Sequence, residues 1–265
     1  MSQTSSSEPG GSARRREELA GNLAEVRSRI EAACATAGRD AGEVTLIAVT
    51  KTWPASDVLL LRELGVTDFG ENKDQEAAPK AAEVADVAAA GGPPVRWHFV
   101  GQLQTNKASS VARYAEVVHS VDRGRLVRSL GAAARRAGRE LTCLVQVNLA
   151  ATAAITAAAA AATANVAGQA RGGAPIGDLQ QVAEAIEAEP GLVLGGVMAI
   201  APLGVPPEQA FAPLHSCLLA ISAVRPQAMI ISAGMTGDLE AAIANGATHV
   251  RIGTALLGDR RPPVR

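Results

Sequence analysis

The feature that most restricts the fold of this chain is a series of eight short apolar, β-branched runs separated by helical patterns. The runs cover residues 44–51, 68–73, 96–101, 116–122, 141–149, 195–201, 228–234 and 249–257. Helical spacing between them is clear in 236–247, where Leu239, Ala242 and Ile243 recur and Gly246 can end the helix. Eight strand–helix units in roughly 220 residues predict a single α/β domain, a (β/α)8 TIM-type barrel with an N-terminal helix. An open doubly wound sheet is the alternative, but no GxGxxG motif follows the first strand.

Composition excludes several classes of function. The 265 residues carry a formal net charge of −1 and only six aromatic side chains, so neither nucleic acid nor an acidic membrane is expected as a partner. Three cysteines lie far apart without a CxxC pair, which argues against a disulfide framework or a zinc site. We therefore expect a reduced, cytoplasmic protein.

Two segments differ in composition from the rest. Residues 1–12 are rich in Ser and Gly and lack the apolar core of a secretory signal, so we expect a disordered tail ahead of a barrel spanning 13–265. Residues 150–174 are nearly uncharged and consist largely of Ala and Thr. Alanine is close to neutral as a membrane residue and Thr is polar, so we interpret this segment as a low-complexity loop insertion and not as a membrane span.

Lys51 stands at the end of the first predicted strand. A lysine directly after a buried run costs desolvation free energy unless its amine has a use. In a (β/α)8 barrel the working residues lie where strands end and βα loops begin. The predicted strand ends carry many polar side chains and predict a wet, cationic mouth; among them are Lys51, Asn72, His98, His119, Asn148, Ser232 and Arg251.

Small residues follow the last two predicted strands. Ser232, Gly234 and Thr236 precede one helix, and Gly253 with Thr254 precede another. Small residues let an anion approach backbone N–H groups, and phosphate binding after strands seven and eight recurs in barrels. The alternative is that these glycines only form tight βα turns.

A phosphate beside a buried lysine indicates a phosphorylated carbonyl compound. A desolvated amine loses its proton more easily, and the free amine attacks carbonyl groups. Pyridoxal 5′-phosphate carries both an aldehyde and a phosphate, which makes it the natural candidate. An aldolase-type lysine is a competing use, and a surface lysine just past the strand end is a third interpretation.

Several separated motifs resemble one family. The segments "LIAVTKTWP" (46–54), "FGENKDQEAAPK" (69–80), "WHFVGQLQTNK" (97–107), "VHSVDR" (118–123), "GLVLGGVMAIAPLG" (191–204) and "SAGMTGDLEAAIANGATHVRIGTALLG" (232–258) are similar to the YggS/PROSC family of pyridoxal phosphate homeostasis proteins. That family is similar to the barrel domain of alanine racemase, the type III pyridoxal phosphate fold, and lacks the racemase's second, all-β domain.

The resemblance implies a role for each matching position. Lys51 matches the lysine that forms the Schiff base with the cofactor, and Arg251 matches the arginine that faces the pyridine nitrogen. The phosphate-binding positions are Ser232, Gly234, Gly253 and Thr254, and the pocket-lining positions are Asn72 and Met198. His98 and residues 102–107 belong to a motif at the same mouth without an assigned role. After strand five the family has a short loop with a Lys/Arg-Ser/Gly-Gly element, of which "RGG" (171–173) is the counterpart here.

The resemblance also implies a carrier and not an enzyme. A racemase of this fold needs a second base opposite the lysine, usually a tyrosine of the missing domain. Tyr114 is the single tyrosine of this chain and lies in a helical stretch where packing is expected. We therefore expect a monomeric protein that binds pyridoxal phosphate, takes part in vitamin B6 homeostasis and passes the cofactor to apo-enzymes. A single-domain amino-acid racemase or lyase is the alternative, and a class I aldolase is a third hypothesis.

Overall fold

Eight parallel strands close into a barrel in a computed structural model that describes residues 9–89, 91–151 and 172–259. Each strand pairs with the next along the chain, and the first pairs with the eighth. The strands are β1 (Thr45–Val49), β2 (Asp68–Glu71), β3 (Arg96–Phe99), β4 (Val117–Val121), β5 (Leu141–Gln146), β6 (Leu192–Met198), β7 (Ile230–Ser232) and β8 (His249–Ile252). The predicted (β/α)8 barrel is thus confirmed, and the open-sheet alternative is wrong.

Helices surround the barrel and connect its strands. They are α1 (Pro9–Thr36), α2 (Ala55–Glu63), α3 (Asp74–Ala88), α4 (Ala108–Val111), α5 (Gly124–Ala137), α6 (Leu179–Glu187), α7 (Pro207–Phe211), α8 (Leu214–Ser222), α9 (Leu239–Ala244) and α10 (Thr254–Leu257). The main core lies between this helical layer and the outer faces of the strands, where side chains such as Phe69, Val145 and Ile231 are buried. Successive strand residues face opposite sides, so the alternate residues point into the barrel.

The N-terminal helix packs on the barrel through one apolar stripe. Leu19, Leu23, Val26 and Ile30 are buried on it at spacings of three and four residues, as one face of a helix requires. Arg15 fastens its first part, because the guanidinium pairs with buried Asp57 at 2.8 Å and donates to the Leu257 carbonyl at 3.0 Å.

The structure corrects several predicted boundaries. The helix begins at Pro9, so residues 9–12 are helical and not part of the expected tail; proline is well tolerated in a first helical turn. Residues 1–8 lie outside the described chain. Most strands end two to five residues before the predicted limits, because the apolar pattern continues into the βα loops, and β6 begins at Leu192 instead of 195.

The predicted insertion at 150–174 lies largely outside the described residues, which resume at Gly172. Among the helices that are described, none is long and apolar enough to cross a membrane. The three cysteines are free thiols and all are buried.

Candidate functional site

Lys51 lies at the C-terminal end of β1, beside the turn that follows β8. The two strands pair from Thr45 to Ala48, and a Cβ added to Gly253 would come 3.5 Å from the carbonyl oxygen of Val49. The small residues after β8 therefore run directly beside the residues that lead to Lys51. Its side chain is partly exposed, and no carboxylate of the described residues lies within ion-pair distance of its amine. The closed barrel thus brings the predicted lysine and part of the predicted phosphate cradle together.

A buried ion pair holds the backbone just before Lys51. The Lys80 ammonium on α3 contacts the Glu71 carboxylate and donates to the Thr50 carbonyl at 2.8 Å. The Thr50 hydroxyl donates to the same carboxylate at 2.8 Å, and all three residues are buried. Thr52 then takes a positive φ of 69°, unusual for a β-branched residue, and its N–H donates to Glu76. Sequence reasoning missed this support, although Glu71 and Lys80 both fall in the motif at 69–80.

Gly234 makes a tight turn after β7. Its φ is +90°, and an added Cβ would lie 2.7 Å from the Ala242 Cβ on α9. Its carbonyl accepts from the Arg251 N–H at 2.9 Å, which fixes this turn to β8. The position therefore requires glycine for backbone reasons, whatever it binds.

Arg251 places a buried cation near the carboxyl ends of β7 and β8. Its Nη1 donates to the Ser232 carbonyl at 2.7 Å and to the Ser232 hydroxyl at 2.8 Å, and its Nη2 donates to the Ala199 carbonyl at 2.9 Å. Burial lowers the pKa of Arg251 to about 10, although the negative charge of Asp238 acts to raise it. The guanidinium is therefore still charged at neutral pH, and within the described ranges it has no carboxylate partner.

Ser232, His119, His98 and Asp68 form a chain of hydrogen bonds inside the barrel. Ser232 Oγ lies 3.0 Å from His119 Nδ1, His119 Nε2 lies 2.9 Å from His98 Nδ1, and His98 Nε2 lies 2.9 Å from Asp68 Oδ1. All four residues are buried. His119 on β4 and Ser232 on β7 belong to strands that are not neighbours, so their contact crosses the interior. His98 and His119, which the sequence predicts at the mouth, are buried inside the barrel, one residue before the end of β3 and two before the end of β4.

The two predicted pocket-lining residues lie in different surroundings. Asn72 is exposed directly after β2 and lines a cavity of about 300 Å³ together with Gln102, Gln146 and Met235. Met198 is buried beside Ser232 in the register of β6 and β7, and it packs with Val117 and Leu144 in a small apolar cluster. Their contact with a cofactor stays a prediction, as does the phosphate role of Thr254, which begins α10.

The two glycines of the "RGG" element return to the barrel beside β5. The Gly172 carbonyl accepts from Gln146 Nε2 at 2.7 Å, and Ala174 bridges Val147 in parallel. Gly173 has a φ of 134°, and an added Cβ would lie 2.8 Å from the Asn148 nitrogen. This close approach of two backbones explains why glycine occupies the position, and Gly172 lies at the edge of the 300 Å³ cavity.

Tyr114 takes no part in this mouth. Its ring packs at the edge of the main core, and its buried hydroxyl lies beside Asp74. Burial, together with the charges of Asp74 and Glu71, raises the pKa of the phenol. The expectation that Tyr114 packs within the fold is confirmed.

Comparisons with known proteins agree on one family. Residues 21–261 match the family model of the alanine racemase N-terminal domain. A pyridoxal phosphate homeostasis protein of Mycobacterium bovis is 40% identical over 262 residues, which span 93% of this chain and 95% of that protein. The structure of PipY from Synechococcus elongatus with pyridoxal phosphate bound superimposes with a TM-score of 0.72 and 30% identity, covering 91% of this chain and all of PipY. An alanine racemase of Corynebacterium glutamicum shares the fold at 12% identity and a TM-score of 0.61, and the match covers 91% of this chain and 60% of the racemase.

Proposed function

This chain belongs to the family of pyridoxal phosphate homeostasis proteins, and from that premise we propose that it binds pyridoxal 5′-phosphate through Lys51. Its role is to hold and release this form of vitamin B6 inside the cell. Two findings on related proteins support this proposal: relatives are named pyridoxal phosphate homeostasis proteins, and PipY has pyridoxal phosphate bound in its structure.

The observation that carries this proposal is the position of Lys51 beside the turn after β8, on the same end of the barrel as the Arg251 cation. When bound, the cofactor supplies an aldehyde that reacts with a primary amine and a ring that can take up electrons. The residues present fit such a group. Lys51 offers an amine without a described acidic partner, Gly253 leaves room for an anion, and Arg251 offers a positive charge that suits a neutral ring nitrogen.

We further propose that the protein is a carrier without a catalytic reaction of its own. A charged guanidinium at the ring nitrogen opposes protonation of that nitrogen and so weakens the ring as an electron sink. The one tyrosine of the chain packs at the edge of the main core, and burial raises the pKa of its phenol, so it stays protonated at neutral pH and is poorly suited to act as a second base. An amino-acid racemase or lyase is the alternative function; it predicts that amino acids lose their α-proton when added to the loaded protein.

The experiment is an absorption titration of the cofactor-free protein with pyridoxal phosphate. The native protein should turn yellow with saturation at one equivalent, and Lys51→Ala should stay colourless. Lys73→Ala is the matched control, because Lys73 is an exposed lysine after the neighbouring strand, and it should titrate like the native protein. Amino acids incubated with the loaded protein in D₂O, followed by NMR, separate the two functions: loss of the α-proton signal would contradict a pure carrier.

The recipients, the compartment and the oligomeric state are further parts of the proposal. We propose apo-enzymes that use pyridoxal phosphate as recipients, a cytoplasmic location in keeping with three free buried thiols, and a monomer. Transfer is tested by mixing loaded protein with such an apo-enzyme and comparing the rate of its activation with that given by an equal concentration of free cofactor. Light scattering tests the monomer.

A further inference from the structure

Lys51 lies in a tight turn that is held from outside at both of its ends. The Trp53 N–H donates to the Thr50 carbonyl at 3.0 Å, so Lys51 and Thr52 are the two central residues of this turn. The positive φ of Thr52 is that of the second central residue in a type II turn. The Lys80 ammonium holds the first end, because it donates to the Thr50 carbonyl. The position of Lys51 therefore also depends on what holds Trp53 at the second end.

Arg15 on α1 holds this second end. Its guanidinium carbon lies 4.6 Å from the centroid of the Trp53 ring, which is the geometry of a cation–π contact. Asp57 on α2 orients the guanidinium, since Arg15 Nη2 and Nε donate to its two carboxylate oxygens at 2.8 and 3.3 Å. The Arg15 and Asp57 side chains are 16% and 6% exposed, so solvent screens this pair much less than a pair on the surface.

The same guanidinium also contacts the segment that follows β8. Arg15 Nη2 donates to the Leu257 carbonyl at 3.0 Å, at the end of α10. The N–H groups of Leu256 and Leu257 in turn donate to the Gly253 carbonyl at 3.0 and 2.9 Å. Asn22, about two turns further along α1, donates to the Leu256 carbonyl at 3.0 Å. Helix α1 thus holds the segment in which two of the proposed phosphate-binding positions lie.

We propose that Arg15 is a positioning residue for the cofactor site, which connects the turn carrying Lys51 to the segment after β8 and keeps the two at a fixed separation. Pyridoxal phosphate carries its aldehyde and its phosphate on one rigid ring. A site that binds both groups gains affinity when its two sides are already held at the right distance. This inference rests on the proposed function for its ligand, whereas the connection itself can be measured in the cofactor-free protein.

The first test is hydrogen exchange of the cofactor-free full chain, followed by mass spectrometry. Arg15→Met keeps a long side chain but removes the charge and the donors, so peptides containing residues 50–53 and 255–258 should both exchange faster. Arg16→Met is the matched control from the next position of α1, because Arg16 and Glu63 form an exposed pair at 3.7 Å. This control should exchange like the native protein. Unchanged exchange of either segment in Arg15→Met would overturn the proposal.

The second test measures the affinity for pyridoxal phosphate by absorption titration. Arg15→Met should raise the Kd about threefold to tenfold, the scale of a lost cation–π contact with its accompanying hydrogen bond. Arg15→Lys keeps the charge, but an ammonium cannot stack on the Trp53 ring and donate in a fork at once, so it should weaken binding as well. This variant also gives the answer if the methionine variant does not fold. Ile186→Ala is the stability control, because it opens a cavity under α6, which precedes β6 on the far side of the barrel from β1. It should lower the melting temperature and leave the Kd unchanged.

The two tests together separate a positioning role from a purely structural one. Coupling between two sites is reciprocal, so bound cofactor should slow exchange around Arg15 in the native protein. A native Kd in both Arg15 variants would mean that Arg15 only fastens α1, and the proposal would be wrong. An equal rise of the Kd in Ile186→Ala would assign the effect to general destabilisation and would also overturn it. A native protein that binds no pyridoxal phosphate would refute the proposed function, and the exchange of the cofactor-free protein would still decide whether Arg15 connects the two segments.

Discussion

Replacement of Lys80 by methionine should remove the support behind Lys51 and destabilise the fold. The Lys80 and Glu71 side chains are 7% and 0% exposed, and the second carboxylate oxygen of Glu71 already has no partner among the described residues. The methionine fills a similar volume but leaves this carboxylate buried and uncompensated. Removal of one member of a buried ion pair costs about 3–5 kcal/mol of unfolding free energy. The same change removes the donor to the Thr50 carbonyl, so borohydride trapping of cofactor on Lys51 should also slow.

Urea denaturation followed by circular dichroism measures this loss, with Lys73→Met as the matched control. Lys73 pairs with Glu76 at 3.3 Å, but that pair is 64% and 33% exposed, so the control should lose no more than about 1 kcal/mol. The double variant Glu71→Leu with Lys80→Met buries no charge and should regain much of the loss. A loss below about 1 kcal/mol in Lys80→Met alone would show that this ion pair does not support the fold.

Three further predictions concern backbone strain and pH. Gly234→Ala should cost about 1–3 kcal/mol of stability, because alanine disfavours a φ of +90° and its Cβ meets Ala242; a thermal melt measures it. Gly253→Ala should cost less than about 1 kcal/mol, because its nearest contact is an ordinary 3.5 Å, yet it should weaken cofactor binding in the absorption titration. Burial, with His98 and Arg96 nearby, lowers the pKa of His249 to about 4, so the unfolded chain binds this proton first and stability should fall as pH drops from about 6.5 toward 4. In His249→Gln the loss of unfolding free energy over this pH range should be smaller, by at most about 3 kcal/mol, since one pKa unit corresponds to about 1.36 kcal/mol. An equal loss in both proteins would contradict this prediction.

The sequence was sufficient to predict that the segment leading to Lys51 lies beside Gly253, because parallel strands share one carboxyl edge. Lys51 after β1 and Gly253 after β8 lie far apart in the chain, but barrel closure makes their strands neighbours. The eight apolar runs were therefore enough to predict both the barrel fold and the end of the barrel at which the proposed site lies. Strand limits were less accurate, since the apolar pattern does not stop where strand pairing stops.

The interior of the barrel could not be predicted in the same way. The sequence predicts His98 and His119 at the mouth because polar residues near strand ends are usually exposed, yet both are buried inside the barrel. Their burial depends on contacts among strands that are not adjacent, such as that between His119 and Ser232. Lys80 likewise has the sequence context of a solvent-facing helical lysine, and only the fold shows that it reaches buried Glu71.

Cofactor attachment at Lys51 can be located by reducing the loaded native protein with borohydride and mapping the modified peptide by mass spectrometry. We expect one pyridoxyl group per chain, on Lys51, and none after Lys51→Ala. Modification of Lys73 or Lys107 in place of Lys51, or an unmodified native protein at saturating cofactor, would contradict it.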